Sequence, residues 1–274
     1  MRLILPSTIL IVTMIAACDS NRQNADAYYN KGIEYHKQGN YDKAIESYQK
    51  AVLLNPRDTV AYYNMGIAYE NAGLYAKAIQ SYEKAIALNP QYELAYNNMG
   101  LAYAEAGYLD TAIRSYKKAL ALNPYSDITY NNMGFAYARM GHRDTAIQLY
   151  RKALTLNPRL DVAYSNMGRA YEEQGRHNEA IESLEKLISL NSRSGEAYFN
   201  LAVIYANRKN YSKSIHCYEK AIALNPQDAT SYCNLAMVYS WQGNVEKSIE
   251  FTKKAAKLGD VAAQNKLLQN GYTW

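Results

Sequence analysis

The chain has 274 residues, 20% of them charged, a formal net charge of +5, and a length that alone would suggest two domains. The positive balance does not mark a nucleic-acid binder, because Lys, Arg, Asp and Glu alternate along it, as in QSYEKAI and RSYKKAL, which describes a mixed, solvated surface. The three cysteines and four histidines show no metal-ligand spacing and no partnered nucleophile, and there is no glycine-rich phosphate loop, so neither a cofactor nor catalysis is expected.

At the N-terminus, Arg2 gives a short positive start to an apolar run over residues 3–17 that carries Pro6, Ser7 and Thr8. About fifteen residues are too few for a membrane-spanning helix of about 20, so residues 1–17 read as an export signal. Its close, Ile15-Ala16-Ala17-Cys18, resembles a bacterial lipobox. The resemblance implies a diacylglyceryl thioether on Cys18, which becomes the first mature residue, and attachment to the exported side of a bacterial membrane. The alternative is an ordinary signal peptide with an incidental cysteine, against which Ile15 stands, because ordinary cleavage wants small-x-small. Asp19 resembles the residue that keeps enteric lipoproteins in the inner membrane. Residues 18–24 are then the lipidated end and a polar tether, of which the stretch from Asp19 onward spans at most roughly 25 Å.

From residue 25 the chain repeats with a period of 34, in copies at 25–58, 59–92, 93–126, 127–160, 161–194, 195–228 and 229–262. In the third copy, places four and eleven are Tyr96 and Tyr103, and every copy has tyrosine at both. Gly100 stands between them, with Gly32, Gly66, Gly134 and Gly168 in register and Ala202 and Ala236 in the last two copies. Ala112 and Ala119 flank Tyr116, matched by Tyr48, Tyr82, Tyr150, Tyr218 and Phe251. Nineteen of the 28 tyrosines fill these three places and are core, not a stacking platform. A glycine inside a helix costs about 1 kcal/mol relative to alanine, so the recurring one predicts close approach of another backbone.

Each copy reads as two short helices. Gly107 and its counterparts sit where a first helix stops, and Pro124 follows the second. Helices this short are marginal alone and gain stability by stacking on neighbours. The period and the Gly, Tyr, Ala and Pro places resemble the tetratricopeptide repeat family, with tyrosine where the family often carries tryptophan at the fourth place. The resemblance implies an all-α fold, a right-handed superhelical solenoid of seven helix-turn-helix repeats closed by a C-terminal capping helix within 263–274. It also implies a concave surface, built by the first helices, that binds extended or helical peptides.

Several copies depart from the pattern. In the fifth, Leu184 and Leu187 replace Tyr and Ala, and Ser192 replaces the turn proline, either as compensated drift or as a place where the superhelix bends. The sixth has Lys209 for the stop glycine. After the seventh, Val261, Leu267 and Leu268 form an apolar stripe suited to a cap. Cys217 and Cys233 lie on different helices, and a bridge or two part-buried thiols are both open.

Projected at 100° per residue, places three, four, seven, eight, ten and eleven of each first helix face the core. Opposite fall places two, six, nine and thirteen, which should be polar on a solvated helix. Instead, place two holds Val60, Leu94, Ile128 and Val162, and place nine holds Ile33, Ile67, Leu101, Phe135, Arg169, Val203 and Met237. Place six is asparagine throughout, including Asn64, Asn98, Asn132 and Asn166, and each amide offers a donor and an acceptor to a bound main chain. The competing readings are bonding of the asparagines across neighbouring helices and packing of the apolar pairs between first helices. Arg169 could meet a ligand carboxylate or pair with Glu172 or Glu173. Arg139, between Glu105 and Glu173 in register, suggests an inter-repeat charge ladder. The groove residues are therefore Asn64, Asn98, Asn132, Asn166, Leu94, Leu101, Ile128, Phe135 and Arg169. The function expected is a non-enzymatic, lipid-anchored scaffold holding a protein or peptide partner; the alternative is a self-assembling homo-oligomer.

Overall fold

The computed structural model describes the backbone of residues 6–274 and the side chains of residues 21–274, so the Cys18 side chain lies outside the described residues. Every element described is a helix. First helices of the repeats are α1 (Pro6–Lys37), α3 (Thr59–Asn71), α5 (Glu93–Glu105), α7 (Asp127–Arg139), α9 (Asp161–Glu173), α11 (Gly195–Asn207) and α13 (Ala229–Trp241). Second helices are α2 (Tyr41–Leu54), α4 (Tyr75–Leu88), α6 (Leu109–Leu122), α8 (Arg143–Leu156), α10 (His177–Leu190), α12 (Tyr211–Leu224) and α14 (Val245–Lys257), and α15 (Val261–Gln269) follows. Residues 18–24, expected as a tether, belong to α1, with residues 21–24 exposed. Among the described residues no helix is long and apolar enough to cross a membrane.

Local chemistry sets the boundaries. Asp58 caps α3 by accepting from the amides of Val60 and Ala61 at 3.0 and 2.9 Å, and Ser126, Ser194 and Asp228 cap α7, α11 and α13 in the same manner. Gly107 follows α5 with φ +88, and Lys209 takes φ +59 at the same place of the sixth repeat, where the chain must turn left-handed whatever residue is present. The second helices end at asparagines such as Asn89 and Asn123, whose side chains accept from the amide two residues on.

The helices gather into two compact units, one ending at Gly141 and the other beginning at His142. Within the first, Gly32, Gly66 and Gly100 each lie under a tyrosine ring of the second helix of the same repeat. A Cβ on Gly32, Gly66 or Gly100 would stand 2.5, 2.4 or 2.6 Å from Cε1 of Tyr48, Tyr82 or Tyr116. The close approach is thus to a ring, not to the backbone that the glycine pattern predicts. Tyr82 is fully buried, and alanines such as Ala78 and Ala85 leave room for it.

In the second unit Leu184 and Leu187 of the fifth repeat are buried, so a side chain smaller than tyrosine and one larger than alanine occupy those two places. Phe251 stands one residue before the tyrosine place, which Thr252 fills; Phe251 stacks instead on Tyr239 at 5.5 Å between centroids. In the cap, Ala263 and Leu267 are buried while Val261 and Leu268 are exposed, so only part of the apolar stripe packs. Cys217 and Cys233 are free thiols.

Candidate functional site

In the first unit the outward places of α3, α5 and α7 carry the apolar row. Val60, Leu94 and Ile128 are 47%, 48% and 53% exposed, so the repeat packing leaves about half of each open. The ninth-place residues behave differently. Ile67 packs against the core cluster, Leu101 and Phe135 are half-buried, and the Arg139 guanidinium lies 6.0 Å from the Phe135 ring. Helix-helix packing therefore accounts for much of place nine and for little of place two.

The asparagines are joined across repeats. Asn64 Nδ2 donates to the Tyr29 hydroxyl at 2.7 Å and Asn98 Nδ2 to the Tyr63 hydroxyl at 3.0 Å. Asn132 Nδ2 donates to Asn97 Oδ1 at 3.3 Å, an oxygen that also accepts from the buried Thr129 hydroxyl at 3.1 Å. Asn97 in turn donates to Asn98 Oδ1 at 3.0 Å. Each of these three amides thus reaches the fifth place of the preceding repeat. The sequence pattern did not point to those partners, since Tyr29, Tyr63 and Asn97 share no obvious chemistry beyond an acceptor oxygen. A half-buried Tyr63 is held neutral, its hydroxyl pushed up to about 12, chiefly by burial.

A second pair escaped the sequence pattern. The Tyr82 hydroxyl donates to Glu70 Oε2 at 2.8 Å, with the Asn98 amide beside the same hydroxyl. Burial pushes the Glu70 carboxyl above its ordinary range, the Tyr82 bond opposes this, and the Glu105 charge adds to it. Arg139 is not a rung of a charge ladder: its Nη1 donates to the Ala104 carbonyl at 2.8 Å.

In the second unit, Val162 is 45% exposed and Arg169 is exposed, with Nη2 donating to Asn166 Oδ1 at 3.1 Å. Glu173 pairs with Arg143 at 2.7 Å. An opening of about 570 Å³ in this unit is lined by α8, α9 and α10, where Arg151 is bonded to the Tyr171 hydroxyl at 2.7 Å and Glu179 to Arg176. Burial pushes the Cys217 and Cys233 thiols up to about 11, so both are protonated at neutral pH and neither is a nucleophile there. Among the described residues no group of three His, Cys, Asp or Glu could hold a metal ion.

Profiles of the tetratricopeptide repeat match residues 25–58, 59–92 and 195–228, and further profiles of the same repeat match 100–141, 125–193 and 217–250. The chain belongs to the tetratricopeptide repeat family. An uncharacterised protein of Methanocaldococcus jannaschii is 45% identical over 38 residues, 14% of this chain and 44% of that protein, so the match spans less than half of its length. A tetratricopeptide repeat protein of Parabacteroides merdae has the same fold, with a TM-score of 0.67, 21% identity, and coverage of 90% of this chain and 98% of that one. So does YrrB, described as a tetratricopeptide repeat protein with an unusual peptide-binding site, with a TM-score of 0.57, 21% identity, and coverage of 70% and 99%. Tetratricopeptide repeat proteins act as scaffolds for protein–protein interaction, generally without catalysis, and this chain is such a repeat protein.

Proposed function

We propose that this tetratricopeptide repeat protein holds an extended, partly apolar segment of a partner protein against the outward face of α3, α5 and α7, and that a lipid on Cys18 fixes it to the exported side of a bacterial membrane. The observation that carries the first part is the uncovered row Val60, Leu94 and Ile128, one residue per repeat. Fully burying a side chain of this size is worth about 1.5–3 kcal/mol, so a segment covering three half-exposed ones gains a few kcal/mol before its ordering cost. Asn98 and Asn132 are held in fixed orientation by their neighbours, and each carbonyl keeps a further lone pair for a main-chain N–H. The peptide-binding site described for YrrB supports this use of the fold. The anchor rests on Ile15-Ala16-Ala17-Cys18.

The test is photo-crosslinking in cells from position 94, with Ile128→Glu as the disabling change. Ile128 is exposed, so the charge leaves thermal stability within about 0.5 kcal/mol and lowers capture of the crosslinked partner at least tenfold. Undiminished capture by a folded Ile128→Glu would place the binding face elsewhere, and a crosslinked product of twice the chain's own mass would make the partner a second copy. For the anchor, a fatty-acid analogue labels the wild type and not Cys18→Ser; equal labelling removes that part of the proposal.

A further inference from the structure

The fifth repeat holds an opening that the second repeat fills with its own side chain. In the second repeat the Tyr82 ring lies on Gly66, and its hydroxyl is held by Glu70, with Asn98 of the following repeat beside it. The same places one hundred and two residues on are Gly168, Leu184, Glu172 and Asn200. The glycine, the carboxylate and the amide are all retained, but the ring and its hydroxyl are gone. What remains is a pocket of about 100 Å³ on the first-helix side of α9 and α11. Gly168, Leu184 and Ile204 are buried and make its floor; Val203, Glu172 and Asn200 are half-buried around its mouth, with the exposed Arg169 beside them.

We propose that this is an anchor pocket for one aliphatic side chain, of leucine or methionine size, on a protein segment bound across α9 and α11. The proposal rests on the segment-binding function and names the chemistry recognised. Size comes first: at about 30 Å³ per molecule in liquid, the space equals about three waters, or the four carbons of an isobutyl group. The floor offers no polar side-chain atom, so a charged tip would be buried without a partner. The mouth supplies the second half of the recognition. The Tyr82 hydroxyl donates to Glu70 with the Asn98 amide beside it, and a peptide backbone likewise presents one donor and one acceptor. A segment whose side chain enters the pocket brings its own N–H to Glu172 and its C=O to the Asn200 amide. A single residue of the partner thereby takes the place of the lost ring with its side chain and of the lost hydroxyl donor with its N–H.

The test uses the full chain with labelled Ile, Leu and Val methyl groups, titrated with N-acetyl-leucine N-methylamide and with the glycine analogue. The leucine probe shifts the methyl signals of Leu184, Val203 and Ile204 saturably, and the glycine probe binds at least tenfold more weakly. Leu184→Tyr rebuilds the second repeat's arrangement and abolishes the shifts at Val203 and Ile204; Leu184→Phe is the second plug if the hydroxyl is not accommodated. Shifts that fail to saturate, that match those of the glycine probe, or that persist in both plugged variants overturn the assignment. Crosslinked capture separates this from the broader function. If Ile128→Glu abolishes capture while the pocket ignores the leucine probe, only the pocket falls. If the pocket binds and capture ignores Ile128→Glu, the face on α3, α5 and α7 falls and the pocket stands.

Discussion

Gly66→Ala is the sharpest test of how these repeats are packed, because two opposite effects meet at one methyl group. Alanine in place of glycine in a helix interior gains about 1 kcal/mol. The new Cβ, however, would stand 2.4, 2.7 and 2.9 Å from Cε1, Cδ1 and Cζ of Tyr82. That ring is fully buried and its hydroxyl is fixed on Glu70 at 2.8 Å, so it cannot swing clear without breaking the bond. Overpacking of this kind costs about 1–3 kcal/mol and loss of a hydrogen bond to a charged group about 1.5–3 kcal/mol. The net effect is a destabilisation of about 2 kcal/mol. Gly168→Ala is the internal control: its Cβ meets Leu184 Cγ and Cδ2 at 3.1 and 3.2 Å and the Ala180 carbonyl oxygen at 3.6 Å, so a shift of a few tenths of an ångström in one aliphatic side chain relieves it. The helix gain then nearly offsets the crowding, and the change is within about 0.5 kcal/mol of neutral. Repeat arrays open locally, so amide hydrogen exchange resolved along α3, α4, α9 and α10 is the assay, with urea denaturation beside it. Equal protection losses in the two variants, or a stabilising Gly66→Ala, would refute the account of the glycine given above.

Lys209→Gly relieves a side chain at φ +59, where a left-handed residue other than glycine costs about 1–2 kcal/mol; part of this is offset by the freer unfolded chain, leaving a stabilisation of about 0.5–1 kcal/mol in thermal unfolding. Glu70 has a carboxyl raised by burial, so the folded chain holds its proton more tightly than the unfolded one. Its contribution is fully present below the ordinary carboxylate pKa and is lost as pH rises through the raised one. Glu70→Gln keeps an acceptor for Tyr82, removes that slope, and is more stable than the wild type above the window; an unchanged pH profile of unfolding contradicts this.

The period of 34 and its glycine and proline punctuation made the helix pairs legible, down to the left-handed turn at Gly107, since these are local requirements of backbone geometry. The partners of conserved-looking places were not legible. Asn98 meets Tyr63 while Asn132 meets Asn97, because adjacency of two first helices, and not residue type, decides what the amide reaches. The exchange of Tyr for Leu184 was visible in the sequence, but that Glu172 and Asn200 converge on the space it leaves follows only from the arrangement of three helices. The apolar places divided in the same manner: place two is uncovered because it points straight away from the core, while place nine lies close enough to a neighbouring helix to be half-covered.

The asparagine bonds have a spacing of 35 residues, one more than the period. Each is therefore a property of a junction and not of a repeat. Whole copies can be gained or lost by unequal recombination in steps of 34 residues, and every junction closes again so long as the upstream copy supplies an oxygen at its fifth place. Tyr29, Tyr63 and Asn97 meet that condition in two chemistries, whereas Phe199 does not. An early copy can thus be added or removed without opening these bonds, while a duplication that places a phenylalanine copy upstream leaves an amide to find another acceptor.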